Sequence, residues 1–314
     1  MKKLSQGATI GIINPAFKNP NDALEKYDYM VKYLEGLGYK LKFGKTFFAE
    51  EGYLAGSDDL RAKDLEEMFL DKEVEAIICM RGGYGCSRMV DKINFDIIKS
   101  NPKILCGFSD VTVLLNNIYK HAKIPSLHGL VGIYLGHKKC NEDTNQYFWD
   151  AFNKQQLGRI LKNPKEVESH TLVSGCAEGV LVGGNLSLLA TLCGTDYEVD
   201  FTDKIVFIEE VTEEPYQIDR YLSSLRLRGM LNKAKGFIFG YFTDCNPSES
   251  KKDGQTVESL IKEYFGSLGK PVITGFACGH DFPFITLPIG VKVRMDADNK
   301  TIEILEEIYE TNTN

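Results

Sequence analysis

A serine at position 109 stands where an apolar run passes into a run of helical periodicity, which is a position from which a nucleophile can be presented. Residues 103–106 predict a short buried strand, and residues 111–121 carry apolar side chains at helical spacing. The first N–H groups of a helix have no partner within it, so they can stabilise an oxyanion on an attacked carbonyl group. Ser109 is therefore a candidate nucleophile, although a serine at this place can also simply cap the helix.

A serine nucleophile needs a base, and the base needs a carboxylate that orients it. A β-branched run at residues 204–208 ends in Glu209 and Glu210, and His280 lies in a glycine-flanked loop after another strand-like run. The chain order is therefore serine, acid, histidine. The α/β-hydrolases share this order, but their G-x-S-x-G turn is absent because Val111 occupies the place of the second glycine. The pattern disfavours a standard α/β-hydrolase.

The elements that must position Ser109 alternate between strand and helix in the first half of the chain. Strands are predicted at residues 9–13, 39–43, 76–80 and 104–106, and helices at residues 23–37, 60–69 and 111–121. This alternation is typical of a parallel sheet with helices on both faces, which binds ligands at its carboxyl edge. We expect a flavodoxin-like α/β domain over residues 1–152 that carries the nucleophile.

The second half of the chain predicts a different kind of domain. Residues 153–170 are more polar and contain Gly158 and Pro164, so we interpret them as a crossover linker. Beyond them the predicted strands lie at residues 180–182, 204–208, 236–239, 272–274 and 291–295, with helices near residues 186–193 and 257–265. We expect a mixed α+β, barrel-like domain over residues 171–314, which carries the acid and the base of the triad.

Composition limits the class of partner. The chain has 314 residues, 43% of them hydrophobic, and a net charge of −7, so it offers no basic field to nucleic acid. No apolar segment follows Lys2 and Lys3, and nowhere do about 18 apolar residues run together, so we expect a soluble cytoplasmic protein without membrane contact. The eight cysteines contain no C-x-x-C pair and are expected to be reduced. No H-E-x-x-H or other ligand spacing occurs, so no metal or cofactor is expected.

Seven groups of residues, taken in order, resemble one known family. They are residues 7–12; residues 53–58 with Arg61; residues 81–85; residues 107–110; residues 183–186; residues 208–210 with 215–216 and 219–220; and residues 279–280 with 286–290. These motifs span nearly the whole chain. In them the chain resembles the serine LD-carboxypeptidases, also called muramoyltetrapeptide carboxypeptidases. Microcin-immunity peptidases are a sister group.

The resemblance implies roles and a substrate. It implies Ser109 as nucleophile, His280 as base and Glu209 as the orienting acid. Similar proteins carry Glu-Asp where this chain has Glu209 and Glu210, and strand alternation lets only one of two adjacent side chains face the histidine. The family substrate is a muropeptide, from which the terminal D-alanine of a tetrapeptide stem is removed during cell-wall recycling. A homodimer is a further implication of the resemblance.

A glycine-rich loop at residues 81–85 follows a strand-like run and supplies further candidates. Its glycines let backbone approach a substrate, so we expect the N–H of Gly83 to join that of Asp110 in an oxyanion hole. A phosphate loop is disfavoured, because the lysine of the Walker pattern is missing. An arginine here can bind a free terminal carboxylate, although a structural ion pair is an equal alternative. The candidate substrate contacts are Arg81, Gly82, Tyr84 and Asn185.

Three alternatives stay open. An immunity-type amidase acting on peptidyl or aminoacyl adenylates needs a surface that stacks on adenine; Trp149 lies in a segment that is expected to pack as core, whereas Tyr84 keeps this alternative open. Cys278 near His280 raises a thiol nucleophile, which we rank below the serine. A non-catalytic binding module of periplasmic-receptor shape also has two α/β domains, but the three triad residues argue against it.

Overall fold

The computed structural model describes residues 1–247 and 254–310 and divides into two compact units. The first unit contains Met1–Gln155 and Thr286–Gly290 and takes up the chain again from Glu307, whereas the second contains Gln156–Ile285 and Val291–Glu306. The division falls inside the expected linker at residues 153–170, most of which belongs to the second unit. The return of two later segments to the first unit was not anticipated from the sequence.

Strands and helices cover both units. The strands are β1 (Thr9–Ile13), β2 (Lys40–Phe43), β3 (Val74–Cys79), β4 (Ile104–Gly107), β5 (Ser126–His128), β6 (Ile160–Leu161), β7 (His170–Val173), β8 (Cys176–Asn185), β9 (Lys204–Val211), β10 (Gly236–Thr243), β11 (Val272–Thr274), β12 (Leu287–Ile289), β13 (Lys292–Asp296) and β14 (Thr301–Ile304). The helices are α1 (Ala23–Lys26), α2 (Asp28–Gly36), α3 (Asp58–Leu70), α4 (Cys86–Met89), α5 (Phe95–Ser100), α6 (Thr112–Asn117), α7 (Glu142–Asn153), α8 (Leu186–Thr191), α9 (Pro215–Leu227), α10 (Met230–Lys233) and α11 (Val257–Phe265).

The sheet of the first unit has the strand order β12-β5-β4-β3-β1-β2. Strands β1 to β5 pair in parallel in the order 2-1-3-4-5, which is the flavodoxin-like arrangement. Ile10, Ile12 and Ile13 of β1 are buried, as expected of a parallel strand covered on both faces. Strand β12 adds antiparallel to β5 at the edge, where its Pro288 is tolerated. The expected parallel α/β domain is confirmed.

The second unit is built on an eight-stranded mixed sheet with the order β6-β14-β13-β8-β9-β10-β11-β7. Strands β8 to β11 run parallel, and the outer strands pair antiparallel. The expected mixed α+β character is confirmed. Strand β8 is longer at both ends than residues 180–182, the part predicted from the sequence.

The sheet of the first unit also explains where chemistry can occur. Chain order reverses between β1 and β3, and at such a switch point the loops at the carboxyl ends of the strands open a crevice. The loops that follow β1, β3 and β4 all leave from this edge. Ser109 follows β4, and the glycine loop at residues 81–85 follows β3, so topology brings these two segments together.

Among the described residues no helix is long and apolar enough to cross a membrane. All eight cysteines lie in the described ranges and none forms a disulfide.

Candidate active site

Ser109 occupies a sharp turn between β4 and α6. Its φ is +64°, a left-handed conformation that is uncommon outside glycine, and it opens a 3₁₀ turn that runs into α6. Backbone strain of this kind costs about 1–3 kcal/mol and tends to occur at functional sites. A Cβ on Gly107 would lie 2.9 Å from Cγ1 of Val111. The turn therefore requires glycine at position 107, as the G-x-S-x-G pattern does. At position 111, where that pattern has its second glycine, Val111 packs against Gly107 instead.

The glycine loop after β3 approaches this turn closely. A Cβ on Gly82 would lie 3.0 Å from Cβ of Ser109 and 3.2 Å from its Oγ. Gly83 has a φ of +121°, and a Cβ there would lie 2.4 Å from Cδ2 of Phe17. Both positions therefore depend on the absence of a side chain, and the loop backbone lies next to the serine.

Asp110 ties the serine turn to the same loop. Its side chain is 1% exposed, and Oδ2 accepts a hydrogen bond from the N–H of Cys86 at 2.8 Å. Burial raises the pKa of Asp110, whereas the bond from Cys86 and the charge of Arg61 oppose the rise. The carboxyl group is thus a buried tether, and only the backbone N–H of Asp110 remains a candidate for substrate contact.

Arg81 and Tyr84 lie at opposite ends of the loop. Nη1 of Arg81 donates to the carbonyl of Lys18 at 3.1 Å, and its guanidinium carbon lies 6.0 Å from the centre of the Phe17 ring. Nε of Arg81 is buried and has no hydrogen-bond partner in the described part of the chain. Tyr84 is 42% exposed, and its ring lies 6.1 Å from that of Tyr53.

In the second unit Glu209 and His280 form a hydrogen-bonded pair. Oε2 of Glu209, which is fully buried on β9, lies 2.6 Å from Nδ1 of His280. Gly279, with a φ of +132°, permits this approach, because a Cβ there would lie 3.2 Å from the same Oε2. Burial lowers the pKa of His280, but the charge and hydrogen bond of Glu209, helped by Glu210, raise it above its ordinary value overall.

The adjacent Glu210 has a different environment. Oε1 accepts from Nδ2 of Asn185 at 2.7 Å and from the N–H of Val211 at 2.8 Å, and Oε2 accepts from the N–H of Ser187 at 2.7 Å. Burial, followed by the charge of Glu209, raises the pKa of Glu210 to about 7. Glu210 therefore fastens the turn between β8 and α8. Asn185 also caps α8, and it is 2% exposed, so its expected substrate contact stays a prediction.

The competing candidates lie in less reactive surroundings. Cys278 is fully buried, and burial raises its thiol pKa well above the ordinary value, so the nucleophilic thiolate is disfavoured. Trp149 stacks on Tyr39 with ring centres 5.1 Å apart, and its Nε1 donates to the hydroxyl of Tyr33 at 2.8 Å. No group of three or more possible metal ligands occurs within residues 1–247 and 254–310.

Sequence reasoning missed one charged residue beside this site. Arg61, quoted above only as part of a motif, is 1% exposed and donates from Nη1 to the carbonyl of Gly85 at 2.8 Å. The available signal was an arginine at the start of the helix predicted at residues 60–69, just after the turn-forming pair Gly56 and Ser57.

Comparison with known proteins identifies the class to which this fold and these residues belong. Residues 10–129 match the model of the LD-carboxypeptidase N-terminal domain, and residues 178–295 match that of the LD-carboxypeptidase C-terminal domain. The chain belongs to the LD-carboxypeptidase family, and the resemblance seen in the sequence motifs is confirmed.

Individual relatives support this assignment along almost the whole chain. A probable murein peptide carboxypeptidase of Bacillus subtilis is 39% identical over 96% of this chain and 93% of its own length. The microcin C7 self-immunity protein MccF of Escherichia coli is 28% identical over 98% of this chain and 96% of its own length. A solved structure of MccF in complex with glutamyl sulfamoyl guanosine superimposes with a TM-score of 0.89 at 26% identity, covering 98% of this chain and 99% of that one.

Proposed function

We propose that this protein is a serine-type LD-carboxypeptidase in which Ser109, Glu209 and His280 act together as a catalytic triad. The observation that carries the proposal is the pair formed by Glu209 and His280 at 2.6 Å, together with the strained turn that presents Ser109. An acid that holds one ring nitrogen of a histidine fixes the tautomer in which the other nitrogen acts as the base.

The proposed reaction follows from these groups. With Nδ1 protonated and donating to Glu209, Nε2 of His280 removes the proton from Oγ of Ser109 as the oxygen attacks the scissile carbonyl carbon. His280 then protonates the leaving amine, the C–N bond breaks, and an acyl-enzyme remains. Water attacks the ester in the second half, again with His280 as base, and restores the serine.

The oxyanion of the tetrahedral intermediate needs donors that are already in place. We propose the N–H groups of Asp110 and Gly83, because the glycine loop runs so close to Ser109 that a Cβ added at Gly82 would lie 3.0 Å from that of the serine. Arg81 is the proposed reader of the free terminal carboxylate, supported by its buried Nε without a hydrogen-bond partner in the described chain.

The proposed substrate is a muropeptide with a tetrapeptide stem, whose terminal D-alanine is released. This choice is supported by the Bacillus subtilis relative, which is named a probable murein peptide carboxypeptidase and is more similar in sequence than the microcin-immunity protein. A role in cell-wall recycling would place the enzyme in the cytoplasm. We also propose that the protein forms a homodimer, as the family resemblance implies.

The proposal is tested with a defined tetrapeptide muropeptide and mass analysis of the products. The parent protein should release one alanine from the free acid and leave the C-terminally amidated analogue largely intact. Ser109→Ala should stay folded and lose at least about three orders of magnitude in kcat, as expected when a triad nucleophile is removed. Near-normal turnover by Ser109→Ala would exclude the serine mechanism, and a stability loss of about 0.5–2 kcal/mol with intact turnover would indicate a helix cap.

A second candidate function is hydrolysis of peptidyl or aminoacyl adenylates. It is favoured by the aromatic pair of Tyr53 and Tyr84, which is exposed beside the glycine loop and offers a face on which a base can stack. A stable aminoacyl sulfamoyl adenosine should then compete with the substrate, and Tyr84→Ala should weaken this competition. Cleavage of the muropeptide that is insensitive to the analogue favours the carboxypeptidase.

A further inference from the structure

Arg61 is a fully buried cation in the first turn of α3. The exposed fraction of its side chain is 0%. A buried guanidinium is unfavourable unless its N–H groups find acceptors, since its five donors and its charge all lose water. The hydrogen-bond acceptors of Arg61 therefore indicate which segments it stabilises.

Three backbone carbonyl groups from different segments accept hydrogen bonds from this side chain. Nη1 donates to Pro15 at 2.7 Å and to Gly85 at 2.8 Å, and Nε donates to Gly56 at 3.2 Å. Nη2 pairs with the carboxylate of Asp58. Arg61 thus links the loop after β1, the turn before α3 and the glycine loop after β3.

The glycine loop is shaped to receive this arginine. Gly85 has a φ of +142°, and a Cβ there would lie 2.8 Å from Nη1 of Arg61 and 2.9 Å from Cδ2 of Leu54. A larger residue would therefore both strain the backbone and displace the guanidinium. The need for glycine at this position is explained by the arginine.

The same loop is held at two more points next to the nucleophile. A Cβ added at Gly82 would lie only 3.0 Å from Cβ of Ser109, and the N–H of Cys86 donates to Oδ2 of Asp110 at 2.8 Å. Gly83 lies between these anchors, and a Cβ on it would contact the ring of Phe17 at 2.4 Å. The backbone of Gly83 is therefore fixed from both sides, and Arg61 holds the C-terminal side.

We infer that Arg61 is a positioning residue for catalysis, which fixes Gly85 and thereby holds the N–H of Gly83 where it can stabilise the oxyanion at Ser109. The inference rests on the proposed function for the role of that N–H group. Arg61 touches no reacting atom in this scheme. Lysine cannot replace it, because one ammonium group cannot reach the carbonyls of Pro15, Gly56 and Gly85 in the planar arrangement that the guanidinium provides.

The test compares Arg61→Lys with the parent protein by amide hydrogen exchange and by kinetics, well below the melting temperature of both. Exchange of the peptides that cover residues 81–87 and 108–112 should become at least about tenfold faster in the variant, because the loop loses the hydrogen bond that holds the carbonyl of Gly85 and opens more often. On any substrate that the parent cleaves, kcat should fall about 10²-fold, because a small misplacement of a catalytic donor can lower the rate by this much. KM should stay within about threefold of the parental value.

Arg88→Ala is the matched control. Arg88 shares Asp58 with Arg61, at 3.1 Å from Nη2, but its side chain is half-exposed and does not bond to the glycine loop carbonyls. This variant should keep the exchange rates and kcat of the parent. Equal losses in Arg61→Lys and Arg88→Ala would show a general charge effect and overturn the inference.

The outcomes separate this inference from the proposed function. If the parent does not cleave the tetrapeptide, the proposed function fails, whereas unchanged exchange of residues 81–87 in Arg61→Lys overturns the positioning role on any substrate. If Arg61→Lys does not fold, Gly85→Ala takes its place, since its methyl group would lie 2.8 Å from Nη1 of Arg61 and displace it from the loop. A loss of kcat in Gly85→Ala with KM unchanged supports the inference, and parental kcat and exchange in that variant overturn it.

Discussion

Two adjacent glutamates on one strand show how side-chain direction assigns different tasks. Glu209 and Glu210 are both buried on β9, yet one bonds to His280 and the other to donors from the turn after β8. Strand alternation sends neighbouring side chains to opposite faces, so each carboxylate meets its own set of partners. Their charges still interact, because Glu209 helps to raise the pKa of Glu210 to about 7.

Glu209→Gln is expected to remove both the charge and the tautomer control at His280. We expect kcat/KM to fall by about 10⁴, the effect of neutralising a triad acid. Since Glu209 raises the pKa of His280, the acidic limb of the pH–rate profile should move to lower pH in this variant. The measurement is kcat/KM from pH 5 to pH 9, with Glu178→Gln as a control that keeps the parental profile, since Glu178 is half-exposed and pairs with Arg294.

Glu210→Gln is expected to keep most activity but to change the pH dependence of stability. The pKa of Glu210 is raised from 4.5 to about 7 in the folded protein, so the folded state binds more protons between these values. This contribution to stability is present below about pH 4.5 and is lost as pH rises through about 7. Urea titrations from pH 4 to pH 8 should show a shallower decline in the variant. Identical slopes, or a loss of activity as large as in Glu209→Gln, would contradict this assignment.

For single residues, the sequence indicated which side chains are candidates for the site, but it did not predict their hydrogen-bond partners. Strand alternation and the family motif were enough to choose Glu209 over Glu210 for the triad prediction. The bonds from Asn185 and Ser187 to Glu210 were not predictable, because they depend on a turn 23–25 residues away that meets β9 only in the folded sheet. Arg61 was missed for the same reason, since its carbonyl acceptors lie in three separate loops.

At the scale of elements, the turn after β4 and the loop after β3 act as one structure. Parallel pairing of β3 with β4 places their carboxyl ends side by side. The loop after β3 and the turn after β4 therefore leave the sheet next to each other. Gly82 leaves no room for a side chain beside Ser109, and the carboxylate of Asp110 accepts a hydrogen bond from the N–H of Cys86. The alternation of strands and helices predicted this common edge, but the left-handed conformation of Ser109 depends on contacts that no local pattern contains.

Gly82→Ala tests how closely the glycine loop and Ser109 must approach each other. The added methyl group would lie 3.0 Å from Cβ and 3.2 Å from Oγ of Ser109, so loop or serine must shift by a few tenths of an ångström. We expect kcat to fall about 10²-fold with the fold retained. Gly36→Ala in α2 is the control, since the structure places nothing within 4 Å of its added methyl group. It should keep kcat and gain about 0.4–1 kcal/mol in unfolding free energy. Parental kcat in Gly82→Ala would mean that the contact is not needed for turnover.

At the scale of the molecule, the two units are not consecutive pieces of chain. Strand β12 pairs with β5, although it is separated from it by most of the second unit, and the hydroxyl of Tyr309 donates to the carbonyl of Ala151 at 2.6 Å. The sequence predicts a single boundary near residue 152 and does not indicate this return, because three-residue strands carry too little periodicity to be recognised.

A fragment of residues 1–155 should therefore fail to fold cooperatively. It lacks β12, so β5, whose three residues are buried, becomes the open edge of the sheet. We expect a broad urea transition by circular dichroism and a weak near-ultraviolet signal. Fusing residues 286–290 to the fragment through a flexible linker should sharpen the transition. A fragment of residues 1–155 that unfolds with the cooperativity and midpoint of the parent would contradict this view.

The path of the chain also bears on synthesis. The unit that carries Ser109 is translated first, yet its sheet is complete only after residues 286–290 have left the ribosome. At typical elongation rates the intervening residues take on the order of ten seconds to make. Throughout that interval the nascent chain carries an unpaired sheet edge, a surface that chaperones capture or that joins other nascent chains on the same polysome.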